Sequence, residues 1–285
     1  MTLPFAHYVS DLHLEMQNSV ADVIRRIIRD KHPSADYLFI CGDLGYIHDP
    51  KYALFLEFMS QFFKHVFVCH GNHEFYNLKN ASLENVRTVE EMIAQIQLLC
   101  TRWNNVHYLH NQTFDLFDER LKKTIRIIGT ALFYHTPRIH ADTVESTMND
   151  FQCIYTKDAN SLVVRKINHH DVNVWHEEAV QFLRKSLEEC QKEQIPNIIM
   201  THHLMALQML SREKLSRGFP YNTPYASDYA KEFLSAKNCT LAYLCGHSHE
   251  PNQKEINGIA CFMNPYGYPG ELDTKRTFSQ TFSIK

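Results

Sequence analysis

A basic excess is what this sequence most plainly lacks. Its 29 Lys and Arg are set against 32 Asp and Glu, a formal net charge of -3. A protein that grips a phosphate polymer does so through clustered positive charge, so a nucleic-acid polymer is not the expected partner. The one tight basic cluster, Arg120 to Arg126, sits between two predicted strands and reads as a solvated hairpin. Long apolar runs are also missing. None approaches the roughly 18 residues a membrane helix needs, so no membrane helix is expected. The segment Met1-Thr2-Leu3-Pro4-Phe5 has no basic region and reaches Asp11 before any long apolar stretch, which argues against a secretory signal. The eight cysteines show no C-x-x-C spacing, and Cys41, Cys69 and Cys245 fall inside apolar runs where cysteine acts as a small hydrophobe. A reduced, cytoplasmic protein is expected. No repeat, low-complexity tract or Gly/Ser-rich linker divides residues 1–285, which are read as one domain.

What is present is an ordinary globular composition, 44% hydrophobic and 21% charged, able to bury a core. Short apolar runs of the buried-strand kind occur at Phe5–Ser10, Tyr37–Cys41, Val66–His70, Ile125–Thr130, Asn197–Thr201, Leu241–Cys245 and Ile259–Asn264. Between them, Val86, Val89, Ile93, Ile96 and Cys100 recur at helical spacing, as do Trp175, Ala179, Leu183, Leu187 and Cys190. Strands separated by helices predict an α/β architecture.

Five of the strands run out into polar residues: Asp11-Leu12-His13, Gly42-Asp43, Gly71-Asn72-His73, His202-His203 and Gly246-His247-Ser248-His249. Ligands of open α/β sheets bind beyond the carboxyl ends of strands, so these segments are expected to converge on one rim. The stretch from about 134 to 168 carries His135, His140, Asp142 and Asp150 without clear periodicity. It reads as an excursion over that rim, either a substrate-facing lid or a plain surface loop with a helical turn.

Residue chemistry points to metal. Asp, Asn and His are ligands of intermediate hardness, suited to Mn, Fe or Zn. Asp11 and His13, two residues apart on an extended segment, face the same way, and His247 and His249 repeat that spacing. Asp11, His13, Asp43, Asn72, His202, His247 and His249 make the ligand count for two ions sharing one carboxylate, with Asp43 as the bridge. His202 is the first residue off its strand, and His203 is the alternative ligand. A two-metal site of this kind activates water and clamps a phosphorus centre.

The ordered set Asp-x-His, Gly-Asp, Gly-Asn-His, His and Gly-His-x-His resembles that of the calcineurin-like metallophosphoesterase superfamily, from Asp11 to His249. The resemblance implies a four-layer αββα sandwich of two mixed β-sheets flanked by helices, with a dinuclear metal site at the strand ends. It implies that Asp11, His13, Asp43 and His249 hold one divalent ion and Asp43, Asn72, His202 and His247 the other, iron being a candidate for one of them. His73 would be the non-ligand histidine that protonates the leaving group, with a pKa held low beside two cations. The protein Ser/Thr phosphatase branch carries phosphate-clamping arginines. Here Gly42-Asp43-Leu44-Gly45-Tyr46 and Cys69-His70-Gly71-Asn72-His73 lack them. A guanidinium fork is the usual holder of a monoester dianion, so protein dephosphorylation is disfavoured.

Met148-Asn149-Asp150-Phe151, Tyr225-Ala226-Ser227-Asp228 and Asn264-Pro265-Tyr266 are similar to segments of single-domain bacterial-type phosphoesterases. They make Tyr225, Asp228 and Asn264, with His203, candidate substrate contacts, although packing or loop-capping roles fit the first three slightly better. The expected activity is hydrolysis of a small phosphodiester or phosphomonoester, a nucleotide among the candidates, by a metal-bridging hydroxide. A nuclease of the same superfamily and a metal-free protein-binding scaffold are the alternatives. The sequence carries no signal of oligomeric state.

Overall fold

A computed structural model describes residues 5–79, 81–158, 161, 163–271 and 281–284. Among the described residues thirteen strands run in chain order: β1 (Phe5–Val9), β2 (Ala35–Cys41), β3 (His65–Cys69), β4 (Val106–Tyr108), β5 (Gln112–Asp118), β6 (Lys123–Thr130), β7 (Tyr155–Lys157), β8 (Val164–Lys166), β9 (Asn197–Thr201), β10 (Thr240–Cys245), β11 (Asn252–Ile256), β12 (Ile259–Met263) and β13 (Thr281–Ser283). The helices are α1 (Val20–Arg29), α2 (Pro50–Phe62), α3 (Val89–Cys100), α4 (Ala141–Thr147), α5 (Asp150–Cys153), α6 (His169–Glu193), α7 (Arg212–Ser216) and α8 (Ala230–Phe233).

Two large mixed sheets form the centre. One has the order β13-β1-β2-β3-β4, the other β11-β12-β10-β9-β6-β5. In each the inner strands run parallel, and an antiparallel strand closes an edge: β13 on the first, β11 and β5 on the second. Strand alternation divides the core into layers. Ala6, Tyr8, Phe39, Phe67, Ile127, Met200 and Leu244 fill the space between the sheets. On the outer face of the first sheet Val9, Leu38, Ile40 and Val68 pack on Ile27 of α1, Phe55 and Met59 of α2 and Met92 of α3. On the outer face of the second, Ile128, Ile199 and Tyr243 pack on Ala179, Leu183 and Leu187 of α6. The four-layer αββα sandwich expected from the resemblance is the observed architecture.

Local chemistry explains the boundaries that the periodicity misplaced. Val86 lies before α3, because Thr88 and Glu91 form a capping box that starts the helix at Val89. α6 begins well before Trp175, where Asn168 and Asp171 form another such box. The aperiodic stretch 134–168 holds α4, α5 and the antiparallel hairpin β7-β8, elements too short to show a period. The basic cluster is the β5-β6 hairpin, with Arg120 paired to Asp36 and Arg126 to Asp115. All eight cysteines are free thiols. Among the described residues no helix is long and apolar enough to cross a membrane.

Candidate metal centre

Each predicted ligand leaves a strand at its carboxyl end. Asp11 and His13 follow β1, Asp43 follows β2, Asn72 follows β3, His202 follows β9, and His247 and His249 follow β10. Parallel neighbours place these exits on one rim. Backbone bonds stitch the loops: the Asp11 N–H donates to the Gly42 carbonyl (3.0 Å), His13 to Asp43 (3.0 Å), and Gly246 to His202 across the rim (3.0 Å). Six of the seven side chains are buried, and His249 is partly exposed.

Two glycines make the close approach possible. A Cβ on Gly42, whose φ is +79°, would run into the His202 ring; one on Gly71 would overlap both the Asp43 carboxylate and His202. Five of the ligand candidates, Asp11, His13, Asp43, His247 and His249, have φ between 44° and 69°. This left-handed region is held open at functional sites by the structure around it.

The donor atoms form two groups that meet at Asp43. In the first, Asp11, His13, Asp43 and His249 each bring a ligand atom to within 4.8 Å of the others. His13 Nε2 lies 2.9 Å from His249 Nε2, and His249 Nε2 lies 3.5 Å from Asp11 Oδ1. The second group centres on His202 Nε2, which is 3.1 Å from Asn72 Oδ1, 3.1 Å from His247 Nδ1 and 3.4 Å from Asp43 Oδ2. Neighbouring donors on a metal with bonds of about 2.1 Å stand roughly 3.0–3.4 Å apart, so these spacings suit coordination shells. Asp11 Oδ2 is buried with no hydrogen-bond partner among the described residues, as a carboxylate reserved for a cation would be.

His203 belongs to a grouping with His202 and His247. Its Nδ1, however, lies 3.3 Å from the Ala131 carbonyl and its ring packs 4.1 Å from that of His247. His202 is the histidine that faces Asn72 and Asp43.

The electrostatics are those of a cation site. Burial opposes charge on His202 and His249, yet Asp43 and Asp11 outweigh it and raise His202 to about 9. Asp11 and Glu271 raise His249 to about 10 in the same way. Asp43 is held well below the usual carboxylate range, because His202, His73 and His13 overcome its burial. Positive charge is thus favoured at His202 and His249, whereas burial pushes His13 and, with the neighbouring His203 and His202 rings, His247 down.

Several supporting residues were given no role at the centre by the sequence. Glu74 accepts backbone N–H bonds from Gly71 (2.7 Å), Leu44 (2.8 Å) and Asp43 (3.2 Å), clamping two ligand loops together. Burial and the Asp43 charge push its carboxyl up to about 8. Asp150 accepts from Asn72 Nδ2 (2.9 Å), Tyr76 (2.6 Å) and Tyr134 (3.0 Å), which turns the Asn72 oxygen toward His202. Glu271 lies 2.7 Å from His249 Nδ1, orienting the ring through its far nitrogen. Spacing carried a signal only for Glu15, which continues the alternation of Asp11 and His13.

His73 sits beside the ligands. Its N–H donates to Asp43 Oδ1 (2.8 Å), its ring stacks on Tyr76 at 4.2 Å, Nδ1 lies 2.9 Å from Glu15 Oε1, and Nε2 lies 3.2 Å from the Tyr268 hydroxyl. His13, Glu15 and His73 make a third grouping of ligand type, in which His73 Nδ1 is committed to Glu15. Burial lowers the His73 pKa, but Asp43 and Glu15 outweigh it and raise it. Glu15, absent from the sequence reading of this site, adds to the Asp43 charge in that direction.

A hollow of about 250 Å³ opens over the centre, lined by His73, Asn149, Lys214, Tyr225, Tyr268 and Glu271 among others. Among the described residues Lys214 is the single Lys or Arg on this lining. Its Nζ donates to the Ser248 carbonyl and lies 4.8 Å over the Tyr225 ring. Of the four candidate substrate contacts, Tyr225 lines the hollow and His203 is buried against His247. Asp228 instead lines a different hollow with His135, His176 and Tyr229. Asn264 is buried, and its Nδ2 donates to the Tyr8 carbonyl (2.9 Å), a strand-bracing contact. Asp228 and Asn264 are thus placed outside the lining of this hollow.

A family model described as calcineurin-like phosphoesterase matches residues 6–251. A protein of Acanthamoeba polyphaga mimivirus, described as uncharacterized, is 27% identical over 274 residues, covering 93% of this chain and 91% of its own. In fold, the chain is similar to phosphopantetheinyl hydrolase from Mycobacterium tuberculosis, with a TM-score of 0.70, 16% identity, and coverage of 99% and 96% of the two chains. It also resembles a putative 5'-nucleotidase from Staphylococcus aureus, with a TM-score of 0.51 and 14% identity over 94% of this chain and 49% of that one. A family match along most of its length, over a rim of Asp, Asn and His donors, makes this chain a member of the calcineurin-like phosphoesterase family, a metal-dependent phosphoric ester hydrolase.

Proposed function

We propose that Asp11, His13, Asp43 and His249 hold one divalent ion, that Asp43, Asn72, His202 and His247 hold a second, and that the centre hydrolyses a small phosphodiester or phosphomonoester. The observation that carries this reading is the meeting of two donor groups on the single Asp43 carboxylate. Carboxylate, amide and imidazole donors fit Mn, Fe or Zn. Two such ions supply Lewis acidity toward the phosphoryl oxygens and lower the pKa of water between them.

The protein groups do the rest. Glu15 on Nδ1 fixes which nitrogen of His73 presents the proton, so Nε2, beside the Tyr268 hydroxyl, can deliver it to the departing oxygen. Lys214 offers its charge to a non-bridging oxygen, standing where the sequence has no arginine clamp. The -3 net charge, with Lys214 the one Lys or Arg over the site among the described residues, favours a small ester above a nucleic-acid polymer.

The test is the rate on bis(p-nitrophenyl) phosphate against p-nitrophenyl phosphate, using metal-stripped protein refilled with Mn²⁺. Turnover of either after reloading, and of neither before, supports the reading. Failure to take up metal, with no turnover, sinks it and revives a binding scaffold. Retention on DNA-cellulose at moderate salt would favour a nuclease instead.

A further inference from the structure

Beyond the metal rim the catalytic hollow does not end. A second chamber of about 410 Å³ continues from it, and Thr147, Met148 and Tyr225 line both spaces. One wall is α4, which contributes Val144. The other is the 217–225 loop, which contributes Pro220 and Tyr221. The walls touch where the His140 ring packs edge-on against Phe219, with centroids 4.6 Å apart. The second wall is anchored beside His203: Leu204 donates to the Tyr225 carbonyl (3.1 Å), and Ser227 donates back to the Leu204 carbonyl (2.8 Å).

Val144, Met148, Pro220, Pro224, Tyr221 and Tyr225 give most of the lining an apolar and aromatic face. Thr143, Thr147 and Arg217 add polar groups, the Arg217 guanidinium being paired with Glu213 (2.8 Å), and Tyr221 remains 55% exposed. Tyr, Pro and Met faces suit a flat ring slid between them. The phosphoryl end of a substrate has its place in the hollow, where among the described residues one lysine, Lys214, stands opposite the Glu271 carboxylate. That balance suits the monoanion of a diester better than the dianion of a monoester. A bare phosphate ester would leave the chamber idle.

The geometry points to a substituent subsite: the chamber between α4 and the 217–225 loop receives the ring-bearing organic arm of a phosphodiester whose phosphorus sits at the metal rim. This rests on the phosphoesterase reading above and names its substrate class.

The test compares two diesters with the same leaving group, thymidine 5'-(p-nitrophenyl phosphate) and methyl p-nitrophenyl phosphate, on Mn²⁺-loaded full-length protein. A kcat/KM ratio favouring the thymidine ester by roughly tenfold or more is expected, the scale of a stacked ring. Tyr221→Ala, and Thr147→Trp to block the passage, should each bring the ratio toward one. The ratio is internal to each variant, so partial folding or metal loss does not imitate the effect. Equal rates on the two esters, or a ratio that both substitutions leave intact, overturn the subsite while the phosphoesterase reading stands. Turnover of neither diester by metal-loaded protein overturns the subsite, and the phosphoesterase reading falls with it only if p-nitrophenyl phosphate is not turned over either.

Discussion

Asp150 and Asn72 are 78 positions apart, yet the Asp150 carboxylate accepts a 2.9 Å hydrogen bond from the Asn72 amide. An amide has two ends of nearly equal shape, and only one can serve a metal. Asp150, fixed in turn by Tyr76 and Tyr134, decides which end faces His202. Asp150→Ala should therefore lower Mn²⁺ affinity about 10–100-fold with the ligands themselves intact. Calorimetric titration with Mn²⁺ checks this, and an unchanged affinity would remove Asp150 from the support of the centre.

Gly71→Ala is the smallest change that should disable the site. The added methyl would sit inside the Asp43 carboxylate and the His202 ring, both buried, so the strand exit must shift. A displacement near 1 Å at a catalytic centre costs on the order of 10²-fold in rate. The far-ultraviolet circular dichroism spectrum should stay native while activity on bis(p-nitrophenyl) phosphate falls by that factor.

His73→Ala should slow hydrolysis of an alkyl ester by about 10²–10⁴-fold, the usual worth of a general acid. A p-nitrophenyl ester, whose leaving group needs little protonation, should suffer less. Glu15→Gln should show the same leaving-group dependence in milder form, because it loosens the His73 ring from its 2.9 Å partner. Bound metal, measured by atomic emission, should persist in His73→Ala. Its loss would make His73 a ligand.

Acid stability should depend on His7. The ring is buried in β1, neither nitrogen has a hydrogen-bond partner among the described residues, and burial pushes its pKa down from 6.5 to about 4. The unfolded chain binds this proton below about pH 6.5 and the folded one only below about 4, so folding stability falls as pH drops between those values and then levels off. The full span corresponds to about 3 kcal/mol. His7→Leu should narrow the difference in urea-unfolding free energy between pH 8 and pH 5. An unaltered difference would place the acid sensitivity elsewhere.

The strands and their polar exits were legible because a buried strand writes a local signature. Asn197–Thr201 matches β9 end to end, and the ligand-bearing exits after β1, β2, β3 and β10 follow within a residue of their expected places. What supports the centre was not legible, because it is assembled from afar. Lys214 reaches Ser248 from a five-residue helix, and Glu271 reaches His249 from 22 positions away. Neither carries a periodic pattern or a characteristic neighbour. Asp228 and Asn264 show the converse: sequence proximity to the rim does not place a side chain on the lining of the hollow.

The left-handed backbone at Asp11, His13, Asp43, His247 and His249 narrows the routes by which the site can change. Asp, Asn and His are the side-chain-bearing residues that tolerate this conformation best, and they are also good ligands for such ions. Backbone and metal therefore select from one short alphabet. The gentlest exchange at these positions, Asp to Asn, keeps the turn while removing the charge. A descendant of this chain could thus lose its chemistry and keep its shape, with a folded rim of nearly unaltered outline and no appetite for a cation.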